Sequence, residues 1–208
     1  EARAAETTSR GGKAGPVKGD VGREADIIAM FDAAEKALGP VDHLVNSAGI
    51  SINLPEVTEF GRSPWDRMVS VNLTAAFEMI HEVCPHMIQQ KSGKIINIAS
   101  LFSFLGGQRS PAYAATKHGI VGLTKAMCDE LAGFNIQVNA IAPGYFSTPL
   151  TAETRKDETR SAEILAHIPA NRWGWSADLM GATVFLASAA SDYVNGTVLT
   201  VDGGYLVR

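Results

Sequence analysis

Three features of the sequence predict a doubly wound α/β fold, a parallel sheet with helices on both faces. Short segments rich in branched apolar residues alternate with longer helical patterns. The run Ile95, Ile96, Ile98 is apolar on both sides of a strand, which needs cover on both faces. The strand-like segments are also followed by small-residue turns such as Asn46-Ser47-Ala48-Gly49 and Pro143-Gly144. Strand then helix, repeated, is the pattern of right-handed crossovers in a parallel sheet.

In chain order, residues 1–9 read as the end of a helix already under way, and Gly11-Gly12 leads into a first strand at 14–18. Further strands are expected at 43–46, 94–100, 136–142 and 198–201. Helices are expected at 24–38, 64–91, 111–132 and 177–189, each long enough and suitably periodic, with Pro85 kinking the second. Ligands of such sheets sit beyond the carboxyl ends of the strands. Chemistry is therefore sought at 46–49, 100–107 and 143–150.

The length of 208 residues suits one domain over 1–208, and an apolar content of 46% against 19% charged residues gives a core without a compositional case for disorder. A net charge of −4, with 18 Lys and Arg scattered along the chain, lacks the footprint of a nucleic-acid or anionic-membrane binder. Neither partner is expected. Cys84 and Cys128 fit neither a disulfide framework nor a zinc spacing, so reduced structural thiols and no metal are expected. No apolar stretch is long enough to span a bilayer and residues 1–10 lack the apolar centre of a signal peptide, so the expected location is the cytoplasm.

Tyr113 and Lys117 are four residues apart on an expected helix, one turn apart on one face. A phenol has an unperturbed pKa of about 10, and a neighbouring ammonium stabilises the phenolate and lowers that value toward the range of acid/base work. A Tyr and a Lys at this spacing are also the ordinary content of a solvated helix face. Ser100 adds weight, since it stands at the end of the buried strand and its hydroxyl can hold a reacting carbonyl. Either small-residue turn, taken alone, is ordinary punctuation at a strand end.

The ordered set Gly19-Asp20-Val21, Asn46-Ser47-Ala48-Gly49, Val71-Asn72-Leu73, Ile95 through Ser100, Tyr113-Ala114-Ala115-Thr116-Lys117, Pro143-Gly144 and Val201-Asp202-Gly203-Gly204 resembles the short-chain dehydrogenase/reductase family along the whole chain. The resemblance implies a Rossmann-like fold and a nicotinamide-dependent hydride transfer between a secondary alcohol and a ketone. It implies that Tyr113 is the acid/base and that Lys117 tunes it and binds the nicotinamide ribose. Ser100 would polarise the carbonyl, and Asn72 would hold a water in a proton relay. The cofactor would be lined by Asp20, Val21, Asn46, Ala48, Gly49, Tyr113, Lys117, Pro143, Gly144, Phe146 and Thr148.

Ser47 stands where the family usually has a second Asn, a departure that touches strand bracing more than chemistry. The family's opening strand-helix-strand unit, with its glycine-rich phosphate turn, has no counterpart in these 208 residues. A disordered or omitted segment is expected there rather than a deletion. The residue that separates NAD from NADP belongs to that unit, so NAD is expected with NADP left open. The resemblance further implies a homotetramer, with subunit contacts from 111–132 and 192–208.

Residues 161–174, 178–181 and 184–196, with the Gly106-Gly107-Gln108-Arg109 approach to Tyr113, resemble the group of 2-deoxy-D-gluconate 3-dehydrogenases, also described as 2-dehydro-3-deoxy-D-gluconate 5-dehydrogenases. The implied substrate is a deoxy sugar acid. Substrate contacts are expected from Ser100, Tyr113 and Arg109, whose guanidinium suits a carboxylate but equally suits a surface or subunit contact. Trp173, Trp175 and His118 are expected to be structural. The competing readings are a 3-oxoacyl carrier-protein reductase and a non-catalytic binding protein of the same fold.

Overall fold

The computed structural model describes residues 1–53, 56–107 and 109–208. Helix α1 (Ala2–Ser9) and α2 (Glu24–Leu38) precede strand β1 (His43–Asn46). There follow α3 (Arg62–Val69), a π-helical turn (Ser70–Thr74), α4 (Ala75–Gln90) and β2 (Gly93–Ile98). Then come α5 (Pro111–Leu131), β3 (Ile136–Pro143), α6 (Ala152–Lys156), α7 (Glu158–His167), α8 (Met180–Ala187) and β4 (Val198–Val201).

The four strands form one parallel sheet in the order β1-β2-β3-β4. Asn46 pairs with Asn97, Asn97 with Ala140, and Ala140 with Val198, which aligns the carboxyl ends of the strands along one edge. Strands β2 and β3 are buried on both faces, as the apolar run over Ile95, Ile96 and Ile98 requires. Ile27 and Phe31, one turn apart on α2, are buried in one cluster with Leu44, Ile80, Met87, Ile95 and Val138. Ile96 and Ile141 meet Leu186 of α8 in another cluster.

Local chemistry sets the boundaries. Glu24 and Asp26 lie in the first turn of α2, where carboxylates complement the helix dipole, and Gly39 ends it at φ 90°, a backbone conformation that side chains resist. Pro111 occupies the first turn of α5, where its missing N–H leaves no bond unmade.

Three expectations need correction. Residues 14–18 form no strand: nearly all are exposed, Pro16 has no N–H to give, and among the described residues no ladder partner lies beside them. The helix expected over 64–91 is interrupted by the π-helical turn, and α4 runs α-helical through Pro85, so the break in α-helical bonding falls at Ser70–Thr74 instead. The last expected helix, 177–189, shortens to α8 between two single 3-10 turns. Among the described residues no helix is long and apolar enough to cross a membrane, and both cysteines are free.

Candidate active site

The edge formed by the strand carboxyl ends carries the polar residues. Asn46 donates to the Asn97 side chain at 2.9 Å, and Asn97 donates to Thr124 Oγ1 at 3.0 Å, so two strands and α5 are tied together beneath the site. Ser100 follows β2 as the cap of a short 3-10 turn. Its hydroxyl accepts from the Phe102 amide at 3.2 Å, while the Ser100 amide donates to Ser103 Oγ at 3.2 Å. Ser103 in turn donates to the Lys117 carbonyl at 2.7 Å, which fixes the Ser100 turn against α5.

Helix α5 brings Tyr113 and Lys117 to the same place. The Tyr113 ring lies edge-on to Phe102, with centroids 5.8 Å apart. The Lys117 ammonium stands 5.7 Å from the centre of the Tyr113 ring and donates to the Ile98 carbonyl at 2.6 Å. Lys117 is only 5% exposed, and burial brings its pKa down to about 8. Burial pushes the Tyr113 phenol up, opposed by a hydrogen bond with Ser100. The net direction for the phenol is therefore up rather than the expected down, with desolvation the largest cause.

Asn72 belongs to the π-helical turn, a local widening that often marks functional positions. Its amide group donates to the Ile50 carbonyl at 2.9 Å and accepts from the Ile50 amide at 2.8 Å, with a further contact to Thr116 at 3.3 Å. The side chain expected to hold a water thus also clamps the chain beyond β1. A Cβ at Gly49 would lie 3.5 Å from Asn72 Oδ1 and 3.8 Å from Lys117 Nζ. The bare backbone there leaves a cradle beside the ammonium. Donors of this kind suit the hydroxyls and amide of a nicotinamide riboside, so the residues present fit the cofactor that the sequence implies.

The other expected cofactor residues are spread along the same edge. Asp20 accepts from the Gly22 amide at 2.9 Å and from Arg67 at 3.0 Å, and these two contacts, the amide first, hold its carboxyl below the usual range. Val21 packs against the main apolar cluster, and Ala48 is exposed. After Pro143, Gly144 donates to the Val201 carbonyl at 2.9 Å; a Cβ on it would come 2.6 Å from the Asp202 Cα, so only glycine fits. Phe146 is 6% exposed and bridges to Gly174, so its side chain serves the core and only its backbone can face a ligand. Thr148 caps the turn Pro149–Thr151.

Ser100, Tyr113 and Arg109 line one cavity of about 530 Å³, a size typical of small-molecule sites. Arg109 adopts φ 66°, a left-handed conformation uncommon for a side chain of its size. Gln108 lies outside the described residues. Tyr145 and residues of α6 and α7, including Arg160 and Glu163, also line the cavity. The charge-dense run 153–163 falls in the segment 148–172, which the sequence reads as a mobile lid over cofactor and substrate, but nothing in its spacing singles out Arg160 or Glu163. Trp173 packs edge-on to Tyr145 at 5.6 Å, and His118 bonds the Ala114 carbonyl of its own helix at 2.9 Å, both structural contacts.

Residues 1–206 match a family model described as Enoyl-(Acyl carrier protein) reductase. The chain is 64% identical over 179 residues to the uncharacterized oxidoreductase YgcW of Escherichia coli (strain K12), an alignment covering 86% of this chain and 68% of that protein. It is 51% identical over 183 residues to a 2-dehydro-3-deoxy-D-gluconate 5-dehydrogenase of the same organism, covering 88% of this chain and 72% of the relative. A solved gluconate 5-dehydrogenase from Burkholderia cenocepacia J2315, in complex with NADP and tartrate, superposes with a TM-score of 0.94 at 40% identity, over 100% of this chain and 81% of that one.

Proposed function

The chain belongs to the short-chain dehydrogenase/reductase family, a nicotinamide-dependent oxidoreductase, and from that premise we propose that it interconverts a hydroxyl and a ketone on a sugar acid of the gluconate or deoxygluconate class. The observation that carries the reading is the convergence of Ser100, Tyr113 and Arg109 on one cavity, with the buried Lys117 behind Tyr113. The relatives named for gluconate and 2-dehydro-3-deoxy-D-gluconate support the substrate class.

A nicotinamide held in this site would supply or accept the hydride. The chain's own residues manage the oxygen and its proton. Ser100 donates a hydrogen bond to the carbonyl oxygen, and the neutral Tyr113 phenol, kept protonated by burial, delivers the proton during ketone reduction. In the reverse direction the phenolate receives the alcohol proton, and the Lys117 ammonium stabilises that charge. Lys117 and Asn72 flank the Gly49 cradle, where Lys117 would take the ribose hydroxyls. Asp20 and Val21 would border the adenine, Asn46, Ala48 and Gly49 the cleft, and Pro143, Gly144, Thr148 and the Phe146 backbone the nicotinamide amide. Arg109 borders the same cavity and would contact the substrate there.

NAD was the cofactor expected from sequence; the solved relative with NADP makes both dinucleotides candidates. The single domain over 1–208 and a homotetrameric assembly remain part of this reading. A second reading, reduction of an acyl carrier-protein thioester, has the description of the matching family model in its favour. The cavity has an apolar part, with Leu101, Phe102, Leu150 and Ile164, but the charges of Arg109, Glu153, Asp157, Arg160 and Glu163 on its lining suit a polar acid better than an acyl chain. Turnover of D-gluconate, 2-deoxy-D-gluconate and acetoacetyl thioesters with NAD(H) and NADP(H) separates the two: only the sugar acids should be turned over.

A further inference from the structure

We infer that Arg160, on α7, is a specificity-determining residue that seats the substrate carboxylate in the cavity it shares with Ser100 and Tyr113. The inference deepens the sugar-acid reading and rests on it.

Ser100, Tyr113, Tyr145 and Arg160 border the same cavity, so a molecule whose carbonyl oxygen meets Ser100 and Tyr113 shares that cavity with the Arg160 guanidinium. Arg160 lies in the first turn of α7, where its amide donates to the capping Asp157 carboxylate at 3.0 Å. Tyr145, on the same cavity, belongs to an aromatic group: its ring is 5.6 Å from Trp173 and 5.2 Å from Tyr205, and Tyr205 is 4.3 Å from His167. Burial and the neighbouring Tyr205 push the Tyr145 phenol up to about 12, and Arg160 pulls the other way through charge and a hydrogen bond. Tyr145 is thus a neutral phenol at working pH, with an oxygen that can accept from the guanidinium.

The remaining donors of Arg160 decide its use. A guanidinium carries five N–H groups in a planar fork. One nitrogen of Arg160 donates to Glu163 at 3.1 Å, in a pair whose side chains are 52% and 60% exposed. An exposed pair of this kind is weak and easily shared, whereas a bidentate contact with a carboxylate is strong and directional. The neighbouring acids are otherwise engaged: Asp157 caps α7, and Glu153 pairs with Lys156 at 2.7 Å. The competitor for a substrate carboxylate is Glu163, whose charge opposes it.

The test is the ratio of kcat/KM for D-gluconate to that for D-glucitol, the neutral hexitol of the same length, measured on the full-length enzyme with its preferred dinucleotide. Arg160→Gln should lower this ratio about tenfold or more through the KM for gluconate, with kcat and the dinucleotide KM within about threefold of wild type. Arg160→Lys should fall between, retaining charge without the fork. Glu163→Gln should shift the gluconate KM in the opposite direction, downward, which a general disturbance of α7 would not do. A wild-type enzyme that prefers the acid, beside an Arg160→Gln variant with an unchanged ratio, overturns this assignment and leaves the sugar-acid reading standing. A wild-type enzyme with no preference for the acid overturns both.

Discussion

The Lys117 ammonium and the Tyr113 ring stand 5.7 Å apart, but the ammonium spends its short hydrogen bond, 2.6 Å, on the Ile98 carbonyl. Each group is driven toward its neutral form by burial, the phenol upward and the amine down to about 8. The pair therefore stores a desolvation cost in the fold and releases it when a charge is needed on the phenol.

Replacing Lys117 by Met should separate stability from function. A lysine of reference pKa 10.5 that titrates near 8 in the folded protein binds fewer protons folded than unfolded between those values, so its cost is full below pH 8 and fades as pH rises through 10.5. At pH 7 the variant should gain up to ~3 kcal/mol by this relation, less the lost Ile98 contact. Thermal unfolding from pH 7 to 10 checks it: the variant's advantage should shrink as pH rises. The same variant should lose turnover and cofactor affinity together, read by dinucleotide titration.

Asn72→Ala should destabilise the protein by about 1–3 kcal/mol, since it leaves both the amide and the carbonyl of Ile50 without their partner. Denaturant unfolding should show a lower midpoint at an unchanged slope. Turnover should fall as well, because the chain that Asn72 clamps begins at Gly49, beside the Lys117 ammonium.

Strands covered on both faces were legible because their apolar runs are continuous, and β1 and β4 fall on the expected residues. Tyr113, Lys117 and Ser100 were legible because helical spacing and a strand end bring them together without long-range information. The π-helical turn was not: Ser70–Thr74 has the composition of an ordinary helix, and the widening comes with long-range bonds from Asn72 to Ile50 and from Ser70 to the Gly22 carbonyl. The place of Arg160 was hidden for the same reason. Its segment was legible as a lid over the site, but which of its charges borders the cavity is set by tertiary packing.

Residues 148–172 should behave as a lid. Ile164 and Ile168 are each 3% exposed, but most residues before them are exposed, so little buried area anchors 149–160. Hydrogen exchange with and without saturating NAD(H) or NADP(H) should show protection of this segment rising on binding, by at least tenfold in exchange rate if the bound state closes it by about 1.4 kcal/mol. Equal protection in both states would remove the lid from the account.

The central claim is that the Tyr113 hydroxyl moves the proton while the fold around it does other work. Its direct test is the single-turnover rate of NAD(P)H formation from D-gluconate by wild type and Tyr113→Phe at saturating dinucleotide. The variant loses one oxygen and keeps its ring against Phe102, so it should unfold near the wild-type temperature and bind dinucleotide with similar affinity. Its rate should fall by about a hundredfold to ten thousandfold. A variant that forms NAD(P)H at the wild-type rate would contradict the account.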